Sequence, residues 1–203
     1  LGIHFMRNFN NPYLAISLND FWSRWHISLS TWFRDYVYIP LGGNRRGSWL
    51  TYRNLFLTMV ISGLWHGAAW KFVIWGAIHA LATMATRRAA RSAWYRDRVP
   101  RFPKQLAVFT VVCIAWVFFR AENVGDAWTI LSRIVSGSWT DPAFPLLALA
   151  LVMVVWVYQF LFESRAAQFL HRTPVKVAFA IGMITYLLVC PGTGGTAFIY
   201  FQF

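Results

Sequence analysis

An apolar run of thirty-one residues, from position 55 to position 85, constrains the fold of this chain more than any other feature. One straight helix needs about 20 residues to cross the hydrocarbon core of a bilayer, so the run is too long for a single span. Gly63, Gly67 and Gly76 interrupt it. We therefore predict a broken span or two short helices. The break should be buried in protein or lie beside a cavity, because irregular backbone at membrane depth is tolerated only there.

His66 lies in the middle of this run, in the sequence SGLWHGA. Ionisable side chains at membrane depth are costly and mark functional sites, so we predict that His66 is a reactive group. From the residues alone, a packed histidine bonded to a neighbouring carbonyl explains the pattern equally well. Two further ionisable side chains share the run. Lys71 is expected to reach the interface by snorkelling or to stabilise an oxyanion, and His79 is expected to pack.

The composition indicates an integral membrane protein. Hydrophobic residues make up 58% of the chain and charged residues only 13%, whereas soluble domains carry about 25% charged residues. The mean hydropathy of +0.45 agrees. We predict an all-α, polytopic helix bundle with transmembrane helices at 106–119, 144–162 and 177–190. The basic segments 87–104 and 163–176 are expected in the cytoplasm.

The strongly basic balance does not indicate a nucleic-acid partner. The net charge is +12, and in a membrane protein such an excess reflects cytoplasmic loops and contacts with anionic lipid. No nucleic-acid-binding motif is present. Two cysteines, Cys113 and Cys190, are too few for a disulfide framework or a zinc ribbon. No metal site is predicted, since His26 and His66 are forty residues apart and neither has a second ligand at close spacing.

Residues 17–39 predict a single amphipathic helix. Ser17 and Asp20 have the spacing of a capping box, and Pro40 ends the helix because it cannot continue the hydrogen-bond ladder. Between them, aromatic and apolar residues recur every three or four positions, with basic and polar residues on the other face. Such a helix lies along the membrane interface or lines a polar cavity. His26 lies at the edge of its apolar face.

Three stretches of the sequence resemble the membrane-bound O-acyltransferase family: residues 8–13 (NFNNPY), 21–45 and 63–67 (GLWHG). The likeness is greatest to the bacterial branch that O-acetylates exopolysaccharides such as alginate. The resemblance implies an interfacial amphipathic helix and broken or re-entrant helices around a central tunnel. It also implies that the chain is the C-terminal portion of a longer protein. The family's catalytic histidine corresponds to His66, and its second motif histidine to His26.

The reaction implied by the resemblance is acyl transfer from a thioester to a sugar hydroxyl. Imidazole suits the general base, because its unperturbed pKa near 6.5 leaves it neutral and basic at working pH, and a positioned base supplies roughly 10²–10⁴-fold. We predict that His66 is this base. His26 is expected to orient the donor, to polarise the thioester carbonyl or to hydrogen-bond a neighbour. The candidates for donor binding are Arg24, Arg34 and Trp65.

Ser62 lies four residues before His66 on the same helical face. A nucleophilic Ser–His pair is one interpretation, although a serine bonded to its own helix backbone is more common.

The resemblance also implies a donor, partners and a location. The donor is expected to be acetyl-CoA or another acyl thioester, with no permanently bound cofactor. The expected partners are membrane lipid, an acceptor polysaccharide and an extracytoplasmic acetyltransferase protein, at a multi-pass position in a bacterial inner membrane. The residues leave open a non-enzymatic transporter or channel subunit, with His66 lining the path. The predicted spans contain no acidic residue, which argues against proton coupling.

Overall fold

The computed structural model describes residues 6–137, 146–165, 167–170 and 172–189, and all regular structure in these residues is helical. The chain divides into two compact units, Leu1–Val152 and Met153–Phe203. A short 3-10 turn over Pro12–Leu14 precedes the first α-helix. The α-helices are α1 Leu18–Arg24, α2 Ile27–Phe33, α3 Ser48–Trp65, α4 Trp70–Ala89, α5 Ala93–Arg98, α6 Arg101–Arg120, α7 Val124–Ser136, α8 Leu146–Phe162, α9 Ala167–Leu170 and α10 Thr173–Val189.

The predicted amphipathic helix over 17–39 is broken in the structure, which corrects the prediction of one continuous element. The Ser17 hydroxyl accepts a hydrogen bond from the Asp20 N–H and starts α1, but α1 ends before Trp25. His26 then adopts a left-handed backbone, with φ 43° and ψ 58°. A left-handed residue stops the right-handed ladder, so α2 begins afresh. The backbone continues as a π-helix over Arg34–Tyr38.

The long apolar run lies in a hairpin of two antiparallel helices, α3 and α4, which are connected by a turn at residues 66–69. Two glycines allow the backbones to touch. A Cβ on Gly63 would lie 2.2 Å from the Phe72 carbonyl oxygen, and one on Gly76 would lie 2.4 Å from that of Met59. Small residues permit such close approach between helices. The hairpin places His66 at its turn.

Two clusters of buried side chains hold the helices of the first unit together. In one, Leu18 and Phe21 of α1 pack against Val108 and Val112 of α6. In the other, Phe118 and Ala121, at the end of α6, pack with residues of α4 and α7. The segment that carries His26 and the hairpin that carries His66 are therefore both anchored to α6.

One helix among the described residues, Arg101–Arg120, is long and apolar enough to cross a bilayer. It contains the predicted span 106–119. Helices α8 and α10 contain shorter apolar stretches, Leu149–Phe162 and Thr173–Tyr186. In the second unit, the Tyr158 ring meets the Phe179 ring edge-on, with centroids 5.6 Å apart. The first two residues of the predicted span 144–162, and Cys190 at the end of the span 177–190, lie outside the described residues.

Candidate active site

The turn after α3 fixes the backbone of His66. The His66 N–H donates to the Gly63 carbonyl (2.9 Å), and the Gly67 N–H donates to the Leu64 carbonyl (3.1 Å). Gly67 has a φ of +150°, and a Cβ there would lie 2.7 Å from the Phe72 ring. Only glycine meets both demands without strain, so this residue closes the helix and leaves the imidazole at the turn.

Four aromatic rings surround the partly buried His66 imidazole. Its centroid lies 4.8 Å from that of Phe119, 4.9 Å from Trp65, 5.4 Å from Trp75 and 6.2 Å from Phe72. The first three contacts are edge-to-face, an arrangement worth about 0.5–1.5 kcal/mol each beyond area burial. Within the described part of the chain, the imidazole nitrogens have no hydrogen-bond partner. The rings therefore orient the imidazole and leave its nitrogens available for hydrogen bonding.

His26 lies between α1 and α2 and is also partly buried. Its Nδ1 lies 3.5 Å from the Ser28 hydroxyl, and its ring centroid lies 6.1 Å from that of Phe9. Helix α2, which begins directly after His26, reaches the hairpin where the Phe33 ring meets the Trp65 ring edge-on, with centroids 6.4 Å apart. The two segments that carry the motif histidines, forty residues apart in the sequence, therefore meet in the folded chain.

The three residues predicted to bind the donor lie in different surroundings. Trp65 contacts His66, as described above. Arg24 Nε donates to the Asp20 carboxylate (2.7 Å), four residues earlier on α1. Arg34 binds the Asp35 carboxylate through Nε and a second guanidinium nitrogen, at 2.7 and 3.2 Å. The Arg34 hydrogen bond and charge hold the pKa of the exposed Asp35 carboxyl below its usual value, so the pair stays ionised at neutral pH.

A cavity of about 460 Å³ lies beside both motif segments. Its wall includes Ser62, one helical turn before His66, and Ile27 and Ser30, which follow His26 closely. Neither imidazole is part of the wall. The cavity therefore lies beside His66, one helical turn away at Ser62, and not at the imidazole itself. Other lining residues are Trp22, Phe33, Arg34, Leu55, Met59 and Arg87.

A second cavity, of about 440 Å³, shares Asn44 and Arg87 with the first. Its wall contains Arg91 and the beginning of α3, with Gly47, Ser48 and Thr51. A helix N-terminus carries free N–H groups and a partial positive charge. The larger cavity is mainly apolar and the second is polar and basic, so together they suit a ligand with an apolar arm and an anionic end.

The other candidates in the apolar run are Lys71, His79 and Ser62, and each lies in a different environment. The Lys71 ammonium donates to the Ala121 carbonyl at the end of α6 (2.7 Å). His79 is buried, with ring centroids 5.0 Å from Trp22 and 4.8 Å from Trp75. Ser62 is buried in the cavity wall, and the expected bond to its own helix backbone is not found among the described residues.

Sequence reasoning assigned no role to Phe119 or Asn8. Phe119 reaches His66 from α6, fifty-three residues along the chain, and no local spacing signals such a contact. Asn8 lies in the NFNNPY motif, and the resemblance of this motif to the family is the one sequence feature that could have indicated its importance. Among the described residues, no group of three or more His, Cys, Asp or Glu side chains is placed to hold a metal ion.

Comparison with protein families matches residues 2–125 to the model of the membrane-bound O-acyltransferases. This chain belongs to the membrane-bound O-acyltransferase family. The matched residues include His26, His66, the hairpin and the whole of α6. Membership confirms the resemblance seen in the three motifs, and it favours the acyltransferase interpretation over the transporter interpretation.

Three relatives illustrate the branch of the family. The probable alginate O-acetylase AlgI of Azotobacter vinelandii is 51% identical over 144 residues, which are 69% of this chain and 28% of that protein. The peptidoglycan O-acetyltransferase of Helicobacter pylori is 44% identical over 129 residues, 63% of this chain and 24% of the relative. The teichoic acid D-alanyltransferase of Bacillus subtilis is 39% identical over 88 residues, 40% of this chain and 22% of the relative. The matched part thus spans about a quarter of each relative's length.

Proposed function

We propose that this protein is a membrane O-acyltransferase that moves an acetyl group from a thioester donor to a hydroxyl of an extracytoplasmic polysaccharide, directly or through a partner protein. His66 acts as the general base. The observation that carries the proposal is the His66 imidazole, held in a ring of four aromatic side chains at the turn between α3 and α4. The membership of the chain in a family of O-acyltransferases supports the same proposal.

The chemistry requires one proton to move from oxygen to sulfur. A neutral His66 takes the proton of the acceptor hydroxyl while the oxygen attacks the thioester carbonyl. The carbon–sulfur bond then breaks, and the proton passes to the leaving thiolate, so the products are the ester and the free thiol. A positioned base supplies roughly 10²–10⁴-fold.

The two neighbouring cavities are proposed to hold the donor, acetyl-CoA or another acyl thioester of the same chemistry. The apolar cavity accommodates the acyl-pantetheine arm, with the Ser62 hydroxyl in its wall as a hydrogen-bond partner. Arg34, Arg87 and Arg91 supply cationic groups for phosphates, which arginine binds in a bidentate way. Arg24 has no part in this proposal, because it is not among the residues that line either cavity.

His26 is proposed to act on the donor side of the reaction, where it orients the thioester or polarises its carbonyl. The position of His26 supports this role, because Ile27 and Ser30, which follow it closely in the chain, line the cavity proposed to hold the donor.

The setting is proposed to be the bacterial inner membrane, with several spans. The exposed apolar side chains of α8 and α10 support contact with lipid, among them Phe160 (65% exposed) and Leu188 (76%). Relatives are named for alginate, peptidoglycan and teichoic acid, which are all polymers with hydroxyl groups outside the membrane. An extracytoplasmic polysaccharide is accordingly the proposed acceptor, with an extracytoplasmic acetyltransferase as the proposed partner.

The experiment replaces His66 in the full-length protein in its native membrane. His66→Ala and His66→Gln should each lower polysaccharide acetylation by about 10²-fold or more. The amount of inserted protein should stay near that of the wild type, and thermal unfolding in detergent should show only the loss of the ring contacts of the imidazole, about 0.5–1.5 kcal/mol each. Acetylation that is unchanged in both variants would remove His66 from the mechanism.

A further inference from the structure

We propose that Asn8 is a positioning residue that fixes His26 by capping the start of α2. The activity test of this inference rests on the proposed function, but the structural argument does not. Asn8 belongs to the NFNNPY motif, eighteen residues before His26.

Asn8 provides two acceptors for the first turn of α2. Its backbone carbonyl accepts a hydrogen bond from the Ile27 N–H (2.9 Å), and its side-chain Oδ1 accepts one from the Ser28 N–H (2.9 Å). The first N–H groups of a helix have no partner within the helix. The usual solution is the side chain of the N-cap residue, but the N-cap here is His26, whose side chain caps nothing. Asn8 therefore does the capping from a distant part of the chain.

His26 needs this support because its backbone is left-handed. A φ of 43° is unfavourable for a residue with a Cβ, and such conformations persist only where the surroundings over-determine them. The segment 8–10 supplies those surroundings on both sides of the break. The Asn10 N–H donates to the Arg24 carbonyl (2.9 Å) before the break, and Asn8 binds the two residues after it.

Side-chain contacts in the same segment complete the support. The Phe9 ring meets the Trp25 ring edge-on, with centroids 4.9 Å apart, and lies 6.1 Å from the His26 ring. The Ser30 hydroxyl donates to the Trp25 carbonyl (3.0 Å). Of all these contacts, only the Asn8 Oδ1 bond depends on a polar side chain from outside the segment 17–39. Removal of this acceptor leaves the Ser28 N–H without its partner and lets the His26 ring turn away from the site.

The test compares three variants in the full-length protein in its native membrane. Asn8→Ala should lower acetyl transfer by about 10- to 100-fold, the usual effect of a misplaced catalytic group. Asn8→Asp, which keeps the acceptor, should stay within about threefold of the wild type, as a carboxylate also favours a helix N-terminus. Asn10→Ala is the matched control: Asn10 acts through its backbone, so activity should be retained.

A double-mutant cycle separates positioning of His26 from general stability. In a His26→Ala protein, Asn8→Ala should cause no further loss of acetyl transfer, because the group that it positions is already absent. If Asn8→Ala does not accumulate in the membrane, Asn8→Leu replaces it, since leucine has the same number and branching of side-chain heavy atoms as asparagine but accepts no hydrogen bond.

Four outcomes overturn the inference. The first is wild-type activity in the Asn8 variants that lack the acceptor, and the second is an equal loss in Asn10→Ala. The third is a full further loss from Asn8→Ala in the His26→Ala background, and the fourth is a His26→Ala protein that is fully active. Failure of the proposed function has a different signature, because His66→Ala would then keep its acetyl transfer whatever the Asn8 variants do.

Discussion

At the end of α3, Gly67 combines a backbone φ of +150° with a ring at its Cβ position, the Phe72 side chain at 2.7 Å. Both features oppose any side chain there. Because Phe72 is also one of the rings around His66, a displaced ring changes the surroundings of the imidazole. Gly67 therefore links a backbone requirement directly to the surroundings of the candidate base.

We predict that Gly67→Ala lowers the free energy of unfolding by about 1–3 kcal/mol, the cost of a strained backbone conformation. Acetyl transfer should fall with it, as the His66 turn shifts. Thermal unfolding of the purified protein and an acetylation assay measure the two effects. Gly182→Ala on α10 is the control, because a Cβ there meets nothing within 4 Å. A Gly67→Ala protein as stable as this control would contradict the assigned conformation.

At the scale of the elements, the α3–α4 hairpin depends on two glycines in different helices. Cβ atoms on Gly63 and Gly76 would overlap backbone carbonyl oxygens of the opposite helix, and a backbone cannot move aside as a flexible side chain can. We predict that Gly63→Ala and Gly76→Ala each destabilise the protein by about 1–3 kcal/mol. The double variant should lose less than the sum, because the first substitution has already separated the helices. Additive losses in thermal unfolding would indicate that the two sites do not share an interface.

Lys71 ties the start of α4 to the end of α6 through the Ala121 carbonyl. Phe119, which contacts His66, lies two residues before that carbonyl. We predict that Lys71→Met lowers the free energy of unfolding by about 1.5–3 kcal/mol, the net worth of a hydrogen bond from a charged donor. Acetyl transfer should fall only a few-fold. A variant with unchanged stability and an activity loss of about 10²-fold or more would favour the oxyanion role instead.

Of the two helix breaks in the motif regions, the sequence pattern predicts one and not the other. The break near His66 follows from the length of the apolar run and its glycines. The break at His26 does not, because the apolar periodicity runs on through it and its support comes from Asn8, a residue outside the pattern. The glycines were expected only to interrupt the run, whereas Gly63 of α3 and Gly76 of α4 also pack against the backbone of the opposite helix. Tertiary partners of this kind have no local signature.

Within the first unit, residues of α1, α2, α3 and α4 line the two cavities. Arg87 lines both cavities, and its guanidinium donates to Asn19 on α1 (3.3 Å). Arg87 also begins the basic segment 87–104. A cation between an apolar and a basic cavity suits the phosphates of the proposed acyl thioester donor.

We predict that Arg87→Gln raises the KM for acetyl-CoA about tenfold and leaves kcat nearly unchanged, because it removes one charge-assisted contact to a distant part of the donor. Added salt should weaken the difference between wild type and variant, as it screens the attraction. Arg98→Gln on α5, an exposed position outside both cavity walls, is the matched control. A fall in kcat at constant KM, or an equal KM change in the control, would show that Arg87 does not hold the donor. In that case the acyl donor must approach His66 by a route that avoids these cavities.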